Sequence, residues 1–397
     1  MTRHYEELDS LRGLGAFTVI WCHFLGCLPP DTAQHQWWIW LFKDTPLSVL
    51  QAGNEGIVFF FLLSGFVLSL SFIGGKKQPL YLPYLAKRIF RLYPAYLVAV
   101  FAAYLVKLFC YNGPVAGYSE FFNHLWQLSG GWNIFVSHLP LINQFKTAHL
   151  NPPVWSLVVE MRISLIFPLL VLLFTRFKAK SVALGLLFSI LCGYVALHLK
   201  AEGSHKVAQS IFRTLSFMGY FQLGIYLADN KNQFIEKVAS LSRKSRYGLV
   251  LAGTLLYTND LWLHALTQYI PQVLLLNKPP LTNFLTGLGA SIFLIVAISA
   301  PSFLSNRIVH FFGTISYSMY LLHTVILNAF VATLHPYLNM WQMWILVFTA
   351  TVAASAFCFH FVELPSMKLG STVSKALARR LERSGPKTRE PMLTTPE

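Results

Sequence analysis

Ten separate stretches of this chain are apolar over the length a helix needs to cross a bilayer, near 11–28, 56–73, 92–110, 155–175, 181–199, 211–228, 247–263, 285–300, 311–330 and 341–361. A crossing takes about 20 such residues, and in hydrocarbon every backbone N–H and C=O must be bonded within the structure itself. An α-helix meets that demand segment by segment. The pattern therefore predicts an all-α integral membrane protein, a bundle of about ten transmembrane helices. Only 12% of the 397 residues are charged, half the value of about 25% usual in soluble domains. Two or three soluble domains, the reading that length alone would favour, are excluded on that ground.

The formal net charge of +15 does not point to nucleic acid, because Lys and Arg gather in short segments between the apolar runs. Lys76, Lys77, Lys87, Arg88 and Arg91 lie in 74–91, Arg176, Lys178 and Lys180 in 176–180, and Lys231, Lys237, Arg243, Lys244 and Arg246 in 229–246. Cytoplasmic loops are enriched in these residues. Placing the basic loops inside puts roughly 23 of the 31 Lys and Arg in the cytoplasm and about five outside, with both termini cytoplasmic. Residues 131–147 are moderately apolar, but a span there would export every later basic loop, so they read as an interfacial or re-entrant piece. Residues 1–370 form the transmembrane domain, and 371–397 a polar cytoplasmic tail expected to be disordered. The N-terminus lacks the pattern of a cleaved signal and reads as a retained first helix. The five cysteines, at 22, 27, 110, 192 and 358, fall in or beside apolar runs and read as packing residues. On this topology Trp37, Trp38, Trp40, Trp126, Trp132, Trp155, Trp262, Trp341 and Trp344 gather toward the outer face. That fits an aromatic belt or a platform that stacks on sugar rings.

Ionisable groups within spans are costly and point to function. His23 follows Arg12 by eleven residues, about 16 Å of helix and almost three full turns, so both share one face with Ala16 and Val19, and Asp9 lies near it. Glu160 enters its span five residues after Trp155, with Ser156 and Ser164 on its face. The two depths allow Glu160 to meet and orient the His23 imidazole. Arg88 and Arg91 stand three apart just before the third span, where guanidinium groups serve either phosphate binding or membrane anchoring. His323, accompanied by Ser316, Tyr317 and Tyr320, is a rival histidine at similar depth. Ser64 with Gly65 reads chiefly as a close-packing pair. Arg162 and Arg213 read as buried partners or snorkelling groups. No metal-ligand spacing occurs, and His124, His138 and His149 are irregularly placed.

Six segments resemble, in order, the signatures of the acyltransferase type 3 family, which includes O-antigen and Nod-factor O-acetylases. They are LDSLRGLGAFTVIWCHF (8–24), NEGIVFFFLLSGFVL (54–68), RIFRLYP (88–94), WSLVVE (155–160), ISYSMYLLH (315–323) and FVELP (361–365). After Glu160 the chain reads Met-Arg-Ile-Ser where the family commonly has a polar pair and then Phe-Tyr, which bears on the local partners of Glu160. The resemblance implies a ten-helix enzyme of a bacterial cytoplasmic membrane with no bound cofactor, using acyl-CoA as co-substrate. It implies functional roles for Arg12 and His23 in the first helix and for Arg88 and Arg91 at the inner rim. Joined to the residue chemistry, this makes His23 with Glu160 the catalytic candidates and Arg12, Arg88 and Arg91 the donor-binding ones; Asp9, Ser64, Trp155, Ser156 and His323 are secondary candidates. The expected reaction moves an acyl group, acetyl by preference, from cytoplasmic acyl-CoA to a hydroxyl of an extracytoplasmic glycan. The competing readings are a multi-span transporter or flippase, which needs no acyl-CoA, and the same transfer onto a lipid or small molecule. The expected partners are the bilayer, acyl-CoA and the glycan, without nucleic acid.

Overall fold

A computed structural model describes residues 6–28, 45–73, 79–124, 131–142, 150–199, 205–267, 269–270, 277–299 and 303–384, and all regular structure among them is helical. The helices are α1 (Glu6–Gly26), α2 (Gly53–Ile73), α3 (Tyr81–Cys110), α4 (Glu120–His124), α5 (Gly131–His138), α6 (Val154–Phe177), α7 (Ala179–His198), α8 (His205–Leu215) and α9 (Met218–Asp229). They continue with α10 (Lys231–Ser240), α11 (Arg243–Tyr257), α12 (Asn259–Thr267), α13 (Pro279–Ser299), α14 (Arg307–Leu334), α15 (Met340–Cys358) and α16 (Leu364–Ser384), the last two joined by a π-helical turn, Phe359–Glu363.

Seven of these helical stretches are long and apolar enough to cross a membrane: α2, α3, α6, α7, α13, α14 and the stretch from Met340 to Arg383. The other three expected spans depart from the simple pattern. In α1 the polar Asp9, Arg12 and His23 dilute the apolar run. The stretch 211–228 is broken at Ser216 and Phe217, between α8 and α9, and 247–263 is broken at Thr258, between α11 and α12. Two boundaries also move. Helix α3 starts at Tyr81, so Arg88 and Arg91 sit within it rather than ahead of it. The tail expected to be disordered from 371 is helical to Ser384 and packs along α3, with Ser374 buried; residues 385–397 lie outside the described residues. The segment 131–147 holds the eight-residue α5, about 12 Å long and too short to span.

Two prolines inside helices tie the bundle together at the end where α3 begins. Pro94 lies within α3 and Pro168 within α6. A proline has no N–H, so the carbonyl four residues earlier loses its helical partner. The Ser366 hydroxyl of α16 donates to Phe90 O at 2.6 Å, and the Tyr84 hydroxyl of α3 donates to Ser164 O at 3.0 Å. Each repair comes from a neighbouring helix and fixes how α16, α3 and α6 meet. Helix α9 seats against α2 through Gly65 and Gly224: a Cβ on either would lie 2.3 Å from a backbone oxygen of the other helix. Helices α1 and α14 run side by side in the same direction, bringing Gly13 against Gly313 and His23 against His323.

Candidate active site

Arg12, Ser64, Arg88, Arg91, Ser156 and Glu160 line one cavity of about 110 Å³, together with Ser316, Tyr317 and Tyr320 of α14. Positions far apart in the chain are thus gathered from α1, α2, α3, α6 and α14. Glu160 and Ser164, one turn apart on α6, receive Arg88 as a fork: Nη2 donates to Glu160 Oε1 at 2.7 Å and to Ser164 Oγ at 3.0 Å. The Ser64 hydroxyl donates to the same carboxylate oxygen at 2.9 Å. A buried ion pair is tolerable when hydrogen bonds satisfy both partners in this way. Ser64 therefore serves the site, while its neighbour Gly65 serves the helix contact.

Arg91 donates to the carboxylate of Glu363, whose side chain is fully buried, and Ser318 Oγ donates to the other oxygen of that carboxylate at 2.9 Å. The π turn that ends on Glu363 lies directly beside this pair; such turns are frequent at functional sites. Arg12 donates to Asp9 at 2.7 Å, one turn earlier on α1. Each of the three cavity arginines is therefore matched by a carboxylate, and each keeps N–H groups that bond to nothing among the described residues. Glu363 is the site residue that spacing alone missed. The signal lay in FVELP, an acid inside the last apolar region. Its partner is 272 positions away.

The expected meeting of His23 with Glu160 does not occur. The partner of His23 is His323, whose Nε2 lies 3.3 Å from His23 Nδ1, with ring centroids 5.0 Å apart. Backbone carbonyls assign the tautomers. His23 Nδ1 lies 2.9 Å from Val19 O and His323 Nδ1 lies 3.1 Å from Met319 O. A carbonyl accepts only, so each Nδ1 carries the proton. The Nδ1–H of His23 is then shared between Val19 O and the lone pair of His323 Nε2. His23 Nε2 is left as an unprotonated lone pair with no hydrogen-bond partner among the described residues. His323 is 0% exposed, whereas His23 is partly open. Of the two, His23 has the accessible basic nitrogen, and His323 holds it in place. Tyr320, on the wall of the arginine cavity, lies one turn before His323 with rings 6.1 Å apart, and its hydroxyl is 2.7 Å from Ser156 Oγ.

Trp155 does not line this cavity. One face of its ring is covered by the Arg213 guanidinium, whose Cζ is 3.7 Å from the ring centroid. Trp344 packs edge to face against both Trp21 and Trp341, at 5.4 Å in each pair, where α1 meets α15. These rings serve packing. Trp37, Trp38, Trp40 and Trp126 lie outside the described residues.

The family model described as an acyltransferase domain matches residues 5–360. Nodulation protein 10 of Rhizobium leguminosarum bv. viciae is 23% identical over 401 residues, covering 95% of this chain and 96% of its own. ORF330 of Acidianus two-tailed virus, an acetyltransferase by tentative name, is 24% identical over 341 residues, covering 81% of this chain and 84% of its own. No solved structure matches. The chain is an enzyme of the acyl-transferring kind with several helices long and apolar enough to cross a membrane, and it belongs to the acyltransferase type 3 family.

Proposed function

We propose that this protein transfers an acyl group, acetyl by preference, from cytoplasmic acyl-CoA to a hydroxyl of an extracytoplasmic carbohydrate. The observation that carries the reading is the adjacency of two unlike sites: a cavity lined by Arg12, Arg88 and Arg91, and a histidine pair one turn beyond its Tyr320 wall. The guanidinium groups, oriented by Glu160, Glu363 and Asp9, offer their remaining N–H groups to the donor's phosphates. His23 Nε2 takes the acceptor hydroxyl's proton as the oxygen attacks the thioester carbonyl. The C–S bond breaks, and the departing thiolate of CoA receives that proton from the His23 imidazolium. Glu160 acts by positioning Arg88 and Ser64 rather than by charging the imidazole.

In this reading α1 and the broken pairs α8–α9 and α11–α12 complete ten crossings, with both termini in the cytoplasm of a bacterial inner membrane. A cysteine at Ser242 that labelled from outside the cell would invert that orientation. The function itself is tested by feeding membranes labelled acetyl-CoA and recovering the surface glycan. Label that appears in purified glycan and depends on this protein is the expected result. Label confined to lipid, or glycan acylation that persists without this protein, overturns the reading.

A further inference from the structure

A second cavity, of about 350 Å³, opens between α2, α6, α7, α8, α9 and α13, within the size range of small-molecule sites. It is stacked on the arginine cavity along shared helices. Helix α2 lends Asn54 to the new cavity and Ser64 to the old one; α6 lends Trp155 to the new and Glu160 to the old. Phe217 of the new cavity and Phe61 of the old meet between them, with ring centroids 4.8 Å apart.

One charged side chain lines this second cavity, Arg213. Its guanidinium lies over Trp155, with Cζ 3.7 Å from the ring centroid, a cation–π contact that uses no N–H. The contrast with Arg12, Arg88, Arg91 and Arg162 is plain. Arg12, Arg88 and Arg91 each meet a carboxylate, and Arg162 spends its N–H groups on Ile142 O, Ser210 and Thr214. Arg213 donates to nothing among the described residues. Two further polar groups at the cavity are also unspent there. The Tyr220 hydroxyl has no partner among the described residues, and Asn283 keeps its amide N–H after accepting from Asn54 at 2.7 Å. A planar set of N–H donors beside an amide and a hydroxyl suits a bidentate anionic oxygen pair.

The geometry points to this cavity as the subsite for an anionic group of the acceptor, a sugar carboxylate or a sugar phosphate held by Arg213. The acceptor is then an acidic saccharide. The inference rests on the reading of the acceptor as a glycan and narrows it.

Binding tests it without need of the native acceptor. The protein in nanodiscs of neutral lipid is titrated by calorimetry with a glucose disaccharide, with the same disaccharide ending in glucuronic acid, and with one ending in glucose 6-phosphate. At least one acidic probe binds about 10- to 100-fold tighter than the neutral one, as one charge-assisted bond requires; which of them does identifies carboxylate or phosphate. Arg213→Gln abolishes the preference and Arg213→Lys keeps part of it. If Arg213→Gln fails to insert, the wild-type preference and the Arg213→Lys loss decide alone. Equal binding of all three probes, no binding of any, or a preference that survives Arg213→Gln overturns the inference. So does a preference that vanishes in discs containing phosphatidylglycerol, because a lipid headgroup would then be the occupant. Labelled acyl transfer with the same preparation keeps the two readings apart: label in glycan without an acid preference sinks this inference alone, whereas label confined to lipid sinks both.

Discussion

Substituting Gly313 by alanine separates the placement of the histidine pair from its chemistry. Helices α1 and α14 run parallel and their backbones touch at Gly13 and Gly313. A Cβ on Gly313 would lie 2.2 Å from Asp9 O and 2.4 Å from Asp9 C. Carbon contacts settle at about 3.5–4 Å, so Gly313→Ala must drive α1 back by roughly 1–1.5 Å, and backbone cannot rotate away as a side chain can. Both histidines stand ten residues further on, about 15 Å along each helix. Their nitrogens are 3.3 Å apart, already near the limit of a useful hydrogen bond, and another ångström ends it. Overpacking of this kind costs about 1–3 kcal/mol of stability, and misplacing a catalytic group by about 1 Å costs on the order of 10²-fold in rate. Gly313→Ala is therefore expected to insert and to lose transfer by about that factor. Transfer of labelled acyl groups, normalised to membrane-inserted protein, is the assay. Gly248→Ala on α11 is the control, since a Cβ there meets nothing within 4 Å and alanine favours the helix by about 0.5–1 kcal/mol. Wild-type turnover in Gly313→Ala would show that the helix contact does not set the pair.

Three other outcomes follow from the same geometry. His23→Gln should lose transfer altogether, because an amide fills the space but has no basic nitrogen; His323→Gln should retain part of it, because the Gln oxygen can still accept from His23 Nδ1–H, and the reverse ranking would move the chemistry to α14. Arg91→Ala should lower the yield of folded protein, since stranding the fully buried Glu363 carboxylate costs about 3–5 kcal/mol, and adding Glu363→Gln should recover much of it; equal yields across the three proteins would show that the pair carries no stability. Arg88→Ala should weaken acyl-CoA binding by about 1.5–3 kcal/mol, with Arg88→Lys a partial rescue, and an unchanged KM for acyl-CoA in both would leave Arg88 as a purely structural partner of Glu160.

The helices were legible wherever the apolar run was continuous, as in α2, whose 21 residues hold a single acid, Glu55. Their internal breaks were not legible where a tertiary bond decides. The break at Thr258 is stabilised by buried Asn259, which donates to Leu256 O, Thr282 O and Thr286 Oγ1, all at 2.8–3.0 Å. Nothing local in the sequence reports partners on α13. Helix α16 was misjudged for the opposite reason. Its average polarity conceals a face that packs on α3, with a Cβ on Gly370 only 2.4 Å from Phe90 Cβ, while Lys375, Arg379 and Arg383 turn elsewhere. The site residues were visible as rare polar groups in apolar runs. Their pairings were not, because Arg88 and Glu160 are 72 positions apart and His23 and His323 are 300.

Those pairings also resolve why the Arg88 and Arg91 spacing fitted both anchoring and phosphate binding. Three bare guanidinium groups would give the empty cavity three positive charges within the bundle, each expensive to desolvate. Asp9, Glu160 and Glu363 cancel them one for one. A guanidinium has five N–H donors, and the carboxylates take only part of each set. Arg12 and Arg91 give their carboxylates a single nitrogen each, and Arg88 leaves Nη1 free among the described residues. The cavity is thus close to neutral when empty, yet its arginines are already aimed and retain donors for phosphate oxygens. Under the proposed function, anchoring and donor binding are successive uses of the same side chains. The carboxylates that make the first use affordable also hold each fork in the orientation the second requires.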